Sequence, residues 1–200
     1  MARASNTIER RAQIAGALLA VMAKQGYDGA SIGDIAKRAR VAPGIVHYHF
    51  ANKLEILVAA VRTLAAEHAR ELEAAVSAHD DPQAQLAALI ELHLDLKHAD
   101  PAQLSCWIQI AGEALRHPPV RVELEAALEA LAAQIAAIIT RGNTARVFAC
   151  PDARATAAAL TATIQGYFLI AATAPDVIPR GTAAATTQRM ADALVHRRAR

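Results

Sequence analysis

An all-α fold of about nine helices is what the sequence predicts, with three helices in an N-terminal head over residues 1–52 and six in a bundle over residues 53–200. Three observations predict it. Alanine and leucine dominate the 200 residues, with only 9 glycines and 8 prolines. Apolar residues recur at helical spacing, and alternating runs of β-branched or aromatic residues are missing. The breaks fall at short proline- or glycine-bearing stretches, most with a proline in or next to a helix start. A chain of this length buries a sufficient core without a disulfide or a structural metal.

The helices follow in order. From about Thr7 to Gln25, Ile8, Ala12, Ala15, Leu18, Leu19 and Met22 recur at helical spacing, until "GYDGAS" interrupts with two glycines. Ser31 followed three residues later by Asp34 has the form of a capping box, so "SIGDIAKRA" reads as a short second helix with Ile32, Ile35, Ala36 and Ala39 inward. Pro43 stands where a helix tolerates proline, in the first turn of a third helix ending near Phe50. Two short helices joined by a tight turn make a helix-turn-helix. A long amphipathic helix over about 53–78 carries Leu54, Leu57, Val61, Leu64 and Leu72. Breaks at "HDDP", "ADP", "RHPP" and "ACPDA" then separate helices at about 83–98, 102–116, 119–141 and 152–173, and a last helix covers about 182–197.

Charge is divided unevenly along the chain. Residues 1–53 carry eight basic side chains (Arg3, Arg10, Arg11, Lys24, Lys37, Arg38, Arg40, Lys53) against three acids, a local +5 within a total of only +2. A basic head on a mildly acidic body suits a polyanion. Cys106 and Cys150 lie far apart without metal-ligand spacing, which predicts a reducing cytoplasm and no metal or other cofactor. The charged start and the lack of about 18 uninterrupted apolar residues predict neither export nor a membrane partner.

The segment "VAPGIVHYHFANK" places His47, Tyr48, His49 and Phe50 in succession in a chain that is 4% aromatic. A helix that reads a DNA major groove needs a slim N-terminal tip and donor-bearing side chains one turn on. Pro43 and Gly44 supply the tip, Ile45 can meet a thymine methyl, and His47 and Tyr48 lie a turn further; Val41, Val46 and Phe50 face the packing side. A buried turn with a few core aromatics fits the segment alone equally well. The local charge and the capped second helix favour double-stranded DNA.

"GYDGASIGDIAKRARVAPGIVHYHFANKLEIL" also resembles the DNA-binding head of TetR-type one-component regulators, with the match covering about residues 8–57. The "GIVHYHF" stretch is similar to the BetI-like branch, the choline-responsive betaine regulators. The resemblance implies DNA contacts from Ser31, Pro43, Gly44, Ile45, His47, Tyr48, His49 and Lys53, with His49 and Lys53 on phosphates. Four positions depart from the family pattern: Ala30 for threonine, Arg40 for glycine, Ala42 for serine and His47 for tyrosine. Losing the serine removes a helix cap worth about 1 kcal/mol and a phosphate ligand. Arg40 is expected to restore a phosphate contact, in a turn strained where glycine's positive φ is wanted.

The body shows no phosphate loop and no nucleophile motif, so no enzymatic activity is expected. Glu91 and Asp95 share a helix face, but Lys97 and His98 beside them make it a solvated one. His93 and His98, five apart, do not make the i,i+4 pair of zinc helices. In "CWIQIAGEALRH", Trp107, Ile110, Ala111 and Leu115 form an apolar stripe with Gln109 and Glu113 beside it, which is either plain core or the wall of a small-molecule pocket. The resemblance favours a pocket for an apolar or amphipathic effector, with Tyr167 and Phe168 added from another helix. Ala157, Leu160, Thr161 and Ile164 give the helix at 152–173 a broad apolar face, which with the last helix fits a homodimer interface as the resemblance implies. Arg197, Arg198 and Arg200 read as a solvated basic tail. The expectation is a ligand-released dimeric repressor; the rival is a helical interaction module whose basic head docks onto an acidic protein.

Overall fold

The computed structural model describes residues 2–96 and 100–196, with side chains from residue 7 onward. Lys97, His98, the Arg197, Arg198 and Arg200 tail and the side chain of Arg3 lie outside the described residues. Nine α-helices and a short 3-10 turn make up the described chain: α1 (Ala2–Gly29), α2 (Ile32–Ala39), α3 (Pro43–His49), α4 (Lys53–Ser77), α5 (Pro82–Leu94), α6 (Pro101–Arg116), α7 (Pro118–Thr144), α8 (Ala153–Thr173) and α9 (Ala183–Val195), with the turn at Pro175–Val177.

Local chemistry sets several of these limits. Ser31 caps α2 through a full capping box with Asp34, and Asp81 and Asp152 accept the N–H groups of Ala84 and Ala155 to open α5 and α8. Pro43 opens α3 after Ala42, which gives no side-chain cap. The first long helix is interrupted at Gly26, directly after the expected end at Gln25, where φ 77° and ψ 167° are non-helical, and a short helical turn then closes at Gly29. The fifth helix stops at Leu94, short of the expected 98, because Asp95 takes a non-helical conformation.

The chain forms two compact units, Met1–Glu67 with Pro101–Glu125, and His68–Asp100 with Ala126–Arg200. Within the first unit α6 packs on α1. The Cys106 thiol donates to Leu19 O at 3.4 Å and Gln109 Nε2 to Met22 O at 3.2 Å. Ile14, Leu18, Met22, Ile35, Val46, Phe50, Leu57 and Ile110 fill this first core. Two residues expected among the apolar stripes are outside it: Ile8 is exposed, and Leu115 is 87% exposed. The buried stripe of α6 is instead Cys106, Ile110, Glu113 and Ala114.

In the second unit, Leu72, Leu86, Leu89, Ile90, Ile135, Ile138, Leu160 and Ile164 form the core. The end of α7 is clasped to the following loop, where Asn143 Nδ2 donates to Cys150 O at 2.8 Å and Asn143 Oδ1 accepts Cys150 N–H at 2.9 Å. The Phe148 ring lies where a side chain at Gly142 would be, with Cδ2 only 2.0 Å from the position of a Cβ.

Candidate nucleic-acid interface and ligand-sensing interior

Helix α3 divides cleanly into two faces. Val46 and Phe50 are buried in the head's core, while Pro43, Gly44, Ile45 and His47 are exposed and Tyr48 is 82% exposed. His49 is half-buried, with its ring edge-on to Tyr48 at 5.1 Å between centroids. A large aromatic left in water beside a slim tip is an outlay that burial alone does not explain. Ser31 is exposed at the start of α2, and its hydroxyl accepts the Asp34 N–H at 3.0 Å. The Ser31 hydroxyl and backbone N–H in turn donate to Asp34 Oδ2, at 2.5 and 3.3 Å, and hold the exposed Asp34 carboxyl below the usual carboxylate range. Arg40 is exposed and left-handed (φ 54°, ψ 44°), its N–H reaching Ala36 O and Lys37 O, so the expected strain of a non-glycine turn is present.

Lys53 is held by the end of the first helix. Its Nζ donates to the carbonyls of Tyr27 (2.8 Å), Asp28 (3.3 Å) and Ala30 (3.0 Å), and it lies 4.4 Å from the centroid of the Tyr27 ring. An ammonium has three donors, and all three are taken by the carbonyls at the end of α1. Sequence reasoning also missed three residues that tie the helices of the head together. Arg11 lies 4.0 Å over the Phe50 ring and donates to His49 O, and Gln13 Nε2 donates to Ala39 O at 2.8 Å. Tyr27 forms the platform for Lys53, with its hydroxyl pKa pushed up to about 12 by burial and then by the charges of Glu113 and Asp28. These contacts span 26 to 38 residues, beyond any local pattern.

The six residues expected around one ligand fall into different units. Trp107, Gln109, Ile110 and Glu113 belong to the first, and Tyr167 and Phe168 to the second. Trp107 packs partly buried against the head's core. Glu113, 5% exposed, pairs with Arg116 and lies 3.4 Å from His117 Nε2. Gln109 Nε2 ties α6 to α1, Gln109 Oε1 is buried without a hydrogen-bond partner, and Glu113 pairs with its own helix and the residue that follows it. The second unit has polar groups of its own inside: His93 lies beside Phe168 with rings stacked at 6.4 Å, and the Thr161 and Thr187 hydroxyls are buried without partners.

The expected dimer residues also need correction. Ala157, Leu160, Thr161 and Ile164 are buried within the single chain, because they form the face of α8 that packs on its own core. The opposite face of α8 exposes Ala155, Ala158, Ala159, Ala162 and Leu169, and α9 exposes Met190, Ala193 and Leu194. By length and composition α8 is apolar enough to cross a membrane, with a mean hydropathy of 1.4 over an 18-residue window of which 22% is buried.

A short capped helix, a tight turn and an exposed reading helix define a helix-turn-helix DNA-binding protein. Residues 14–60 match the profile of bacterial regulatory proteins of the tetR family, and residues 82–196 match the BetI-type transcriptional repressor C-terminal domain. The chain belongs to the tetR family of transcriptional regulators, with a C-terminal domain of the BetI type. Among curated relatives, the HTH-type transcriptional regulator BetI of Rhizobium meliloti is 30% identical over 112 residues, 56% of this chain and 55% of its own length. BetI of Paraburkholderia phymatum is 28% identical over 84% of this chain and 83% of its own. The alignment to the first of these thus takes in about half of its length. A transcriptional regulator from Saccharomonospora viridis, solved in complex with choline, superposes with a TM-score of 0.79 at 26% identity, covering 94% of this chain and 99% of its own. A TetR regulator from Haloarcula marismortui shares the fold at 21% identity, with a TM-score of 0.82 over 94% and 99%.

Proposed function

We propose that the protein is a dimeric repressor that binds its operator through α3 and leaves it when a small molecule enters the second unit. The exposed tip and outer face of α3, with Tyr48 in water beside His47, carry this reading. Pro43, Gly44, Ile45, His47 and Tyr48 face the bases, and Ser31, Arg40 and His49 face phosphates. Lys53 holds the first turn of α4 onto α1 and contributes through that geometry. Two copies join through the outer faces of α8 and α9, which explains an apolar helix with a side free of its own core. Two reading helices then meet successive major grooves about 34 to 36 Å apart.

The effector reading rests on half-buried Tyr167 and on Phe168, whose ring stacks beside neutral His93. Choline, held by the Saccharomonospora regulator, is the first effector to test, ahead of other apolar or amphipathic compounds. The protein acts in the cytoplasm, binds no cofactor for this role and catalyses no reaction. Footprinting on the DNA flanking its own gene, with a salt titration, tests the reading. A protected palindrome whose affinity falls steeply with salt supports it, and salt-insensitive binding to an acidic protein in place of DNA rejects it.

A further inference from the structure

His68 on α4 and His93 on α5 bring their Nε2 atoms to 2.8 Å of each other, with rings nearly perpendicular at 86°. The tautomers along this contact are fixed by its ends. His93 Nδ1 lies 2.8 Å from Leu89 O, so that nitrogen carries the N–H and Nε2 is a bare acceptor. The proton between the rings must then sit on His68 Nε2. That leaves a lone pair on His68 Nδ1, and this lone pair faces Glu71 Oε2 at 4.0 Å. Two acceptors facing each other is the wrong polarity, so the neutral pair satisfies His93 at the expense of His68.

A metal ion removes the mismatch. When the His68 proton sits on Nδ1 it points towards Glu71, and the Nε2 lone pairs of both rings become free for one ion. The proton only changes nitrogen within the ring, so none is lost to solvent. Each imidazole then has the arrangement of a metal ligand, with Nε2 on the ion and the Nδ1–H directed at an oxygen. We propose that His68 and His93 together bind one first-row transition-metal ion that favours imidazole nitrogen, such as Zn2+, Co2+, Ni2+ or Cu2+.

The protein supplies two ligands, since no group of three or more His, Cys, Asp or Glu converges among the described residues. Water fills the remaining positions, and it has access because the His68 side chain is 36% exposed. Nitrogen donors without clustered oxygens disfavour Ca2+ and Mg2+. With Zn–N distances of about 2.0 to 2.1 Å in tetrahedral geometry, the ring nitrogens separate by roughly half an ångström. His68 is free to make that adjustment, whereas His93 is held by Leu89 and stacked on Phe168. The sequence spacing that ruled out His93 with His98 concerned one helix; the partner lies 25 residues earlier on another.

Equilibrium dialysis of the chelator-treated full chain against CoCl2 and ZnCl2 tests the site, with visible absorption reporting Co2+ coordination. The expected result is one ion per protomer, saturable, and lost in both His68→Gln and His93→Gln. His68 is partly exposed, so His68→Gln retains the wild-type circular dichroism and decides the matter even if His93→Gln does not fold. No saturable binding at tenfold metal excess, or unchanged stoichiometry in folded His68→Gln, overturns the proposal.

Discussion

Lys53 Nζ lies 2.8 Å from the carbonyl oxygen of Tyr27 and 4.4 Å from the centroid of its ring. The first turn of α4 is thereby fastened to the end of α1, and the cation is committed to protein oxygens. Lys53→Ala is expected to destabilise the chain by about 1.5 to 3 kcal/mol, the scale of hydrogen bonds to a charged group. It should weaken operator binding without changing the slope of log K against log salt, because no phosphate contact is lost. Urea unfolding and a salt series measure the two effects, and a slope lower by about one unit returns Lys53 to the phosphate contacts.

Arg40 holds a left-handed conformation that an L-residue adopts at a cost of about 1 to 2 kcal/mol. Arg40→Gly is expected to raise the urea midpoint, offset in part by glycine's greater unfolded-state entropy. Operator affinity should fall at the same time, since a cation is lost. A variant less stable than the parent shows that the Arg40 side chain has a structural role.

His47 and Tyr48 are exposed on α3. His47→Ala is expected to relax preference at one operator base pair by about 1 to 3 kcal/mol, whereas Arg40→Ala lowers affinity on all sequences alike. Binding to an operator library separates these outcomes, and uniform loss from His47→Ala removes it from base reading.

Dimerisation predicts opposite outcomes on the two faces of α8. Leu169→Glu or Leu194→Glu, on the outer side, should give folded monomers with little operator affinity. Ile164→Glu should lose the fold instead, because Ile164 is 0% exposed in the single chain and a buried unpaired charge costs several kcal/mol. Sedimentation with circular dichroism distinguishes the two, and a Leu169→Glu variant that stays dimeric moves the interface elsewhere.

Burial, and then the neighbouring His68, pulls the His93 pKa from 6.5 down to about 4. Between those values the unfolded chain binds the extra proton and the folded chain does not. Stability from this group is complete above about pH 6.5 and falls as pH drops towards 4, by up to roughly 3 kcal/mol. Urea midpoints at pH 7 and 4.5 should differ more for the wild type than for His93→Gln. An equal difference in both chains assigns the acid sensitivity to other groups.

The helices were legible because their signals are local. Ser31 and Asp34 stand three apart, Pro43 opens a turn, and Val46 and Phe50 alternate with exposed neighbours at helical spacing. The reading surface of α3 followed from the same periodicity. What escaped was partnership over distance, since nothing near Lys53 announces Tyr27 and nothing near Arg11 announces Phe50. Helices rich in alanine gave a further ambiguity. In α8 both faces are apolar, so composition could not tell Ile164, turned to its own core, from Leu169, turned outward. In α6 the alanines likewise blur the phase of the stripe, so its spacing turns Leu115 inward whereas the buried positions are Cys106, Ile110, Glu113 and Ala114.

The Phe148 ring occupying the space beside Gly142 ties the evolutionary fates of two positions together. Any side chain at 142 collides with the ring, while a smaller residue at 148 first opens the space that a side chain could fill. Neither change is neutral alone, and only the order in which 148 shrinks before 142 grows avoids the collision. Residue 142 is therefore conditional on residue 148: a side chain enters at 142 only after 148 has shrunk, and the reverse path must restore glycine at 142 before an aromatic ring returns at 148.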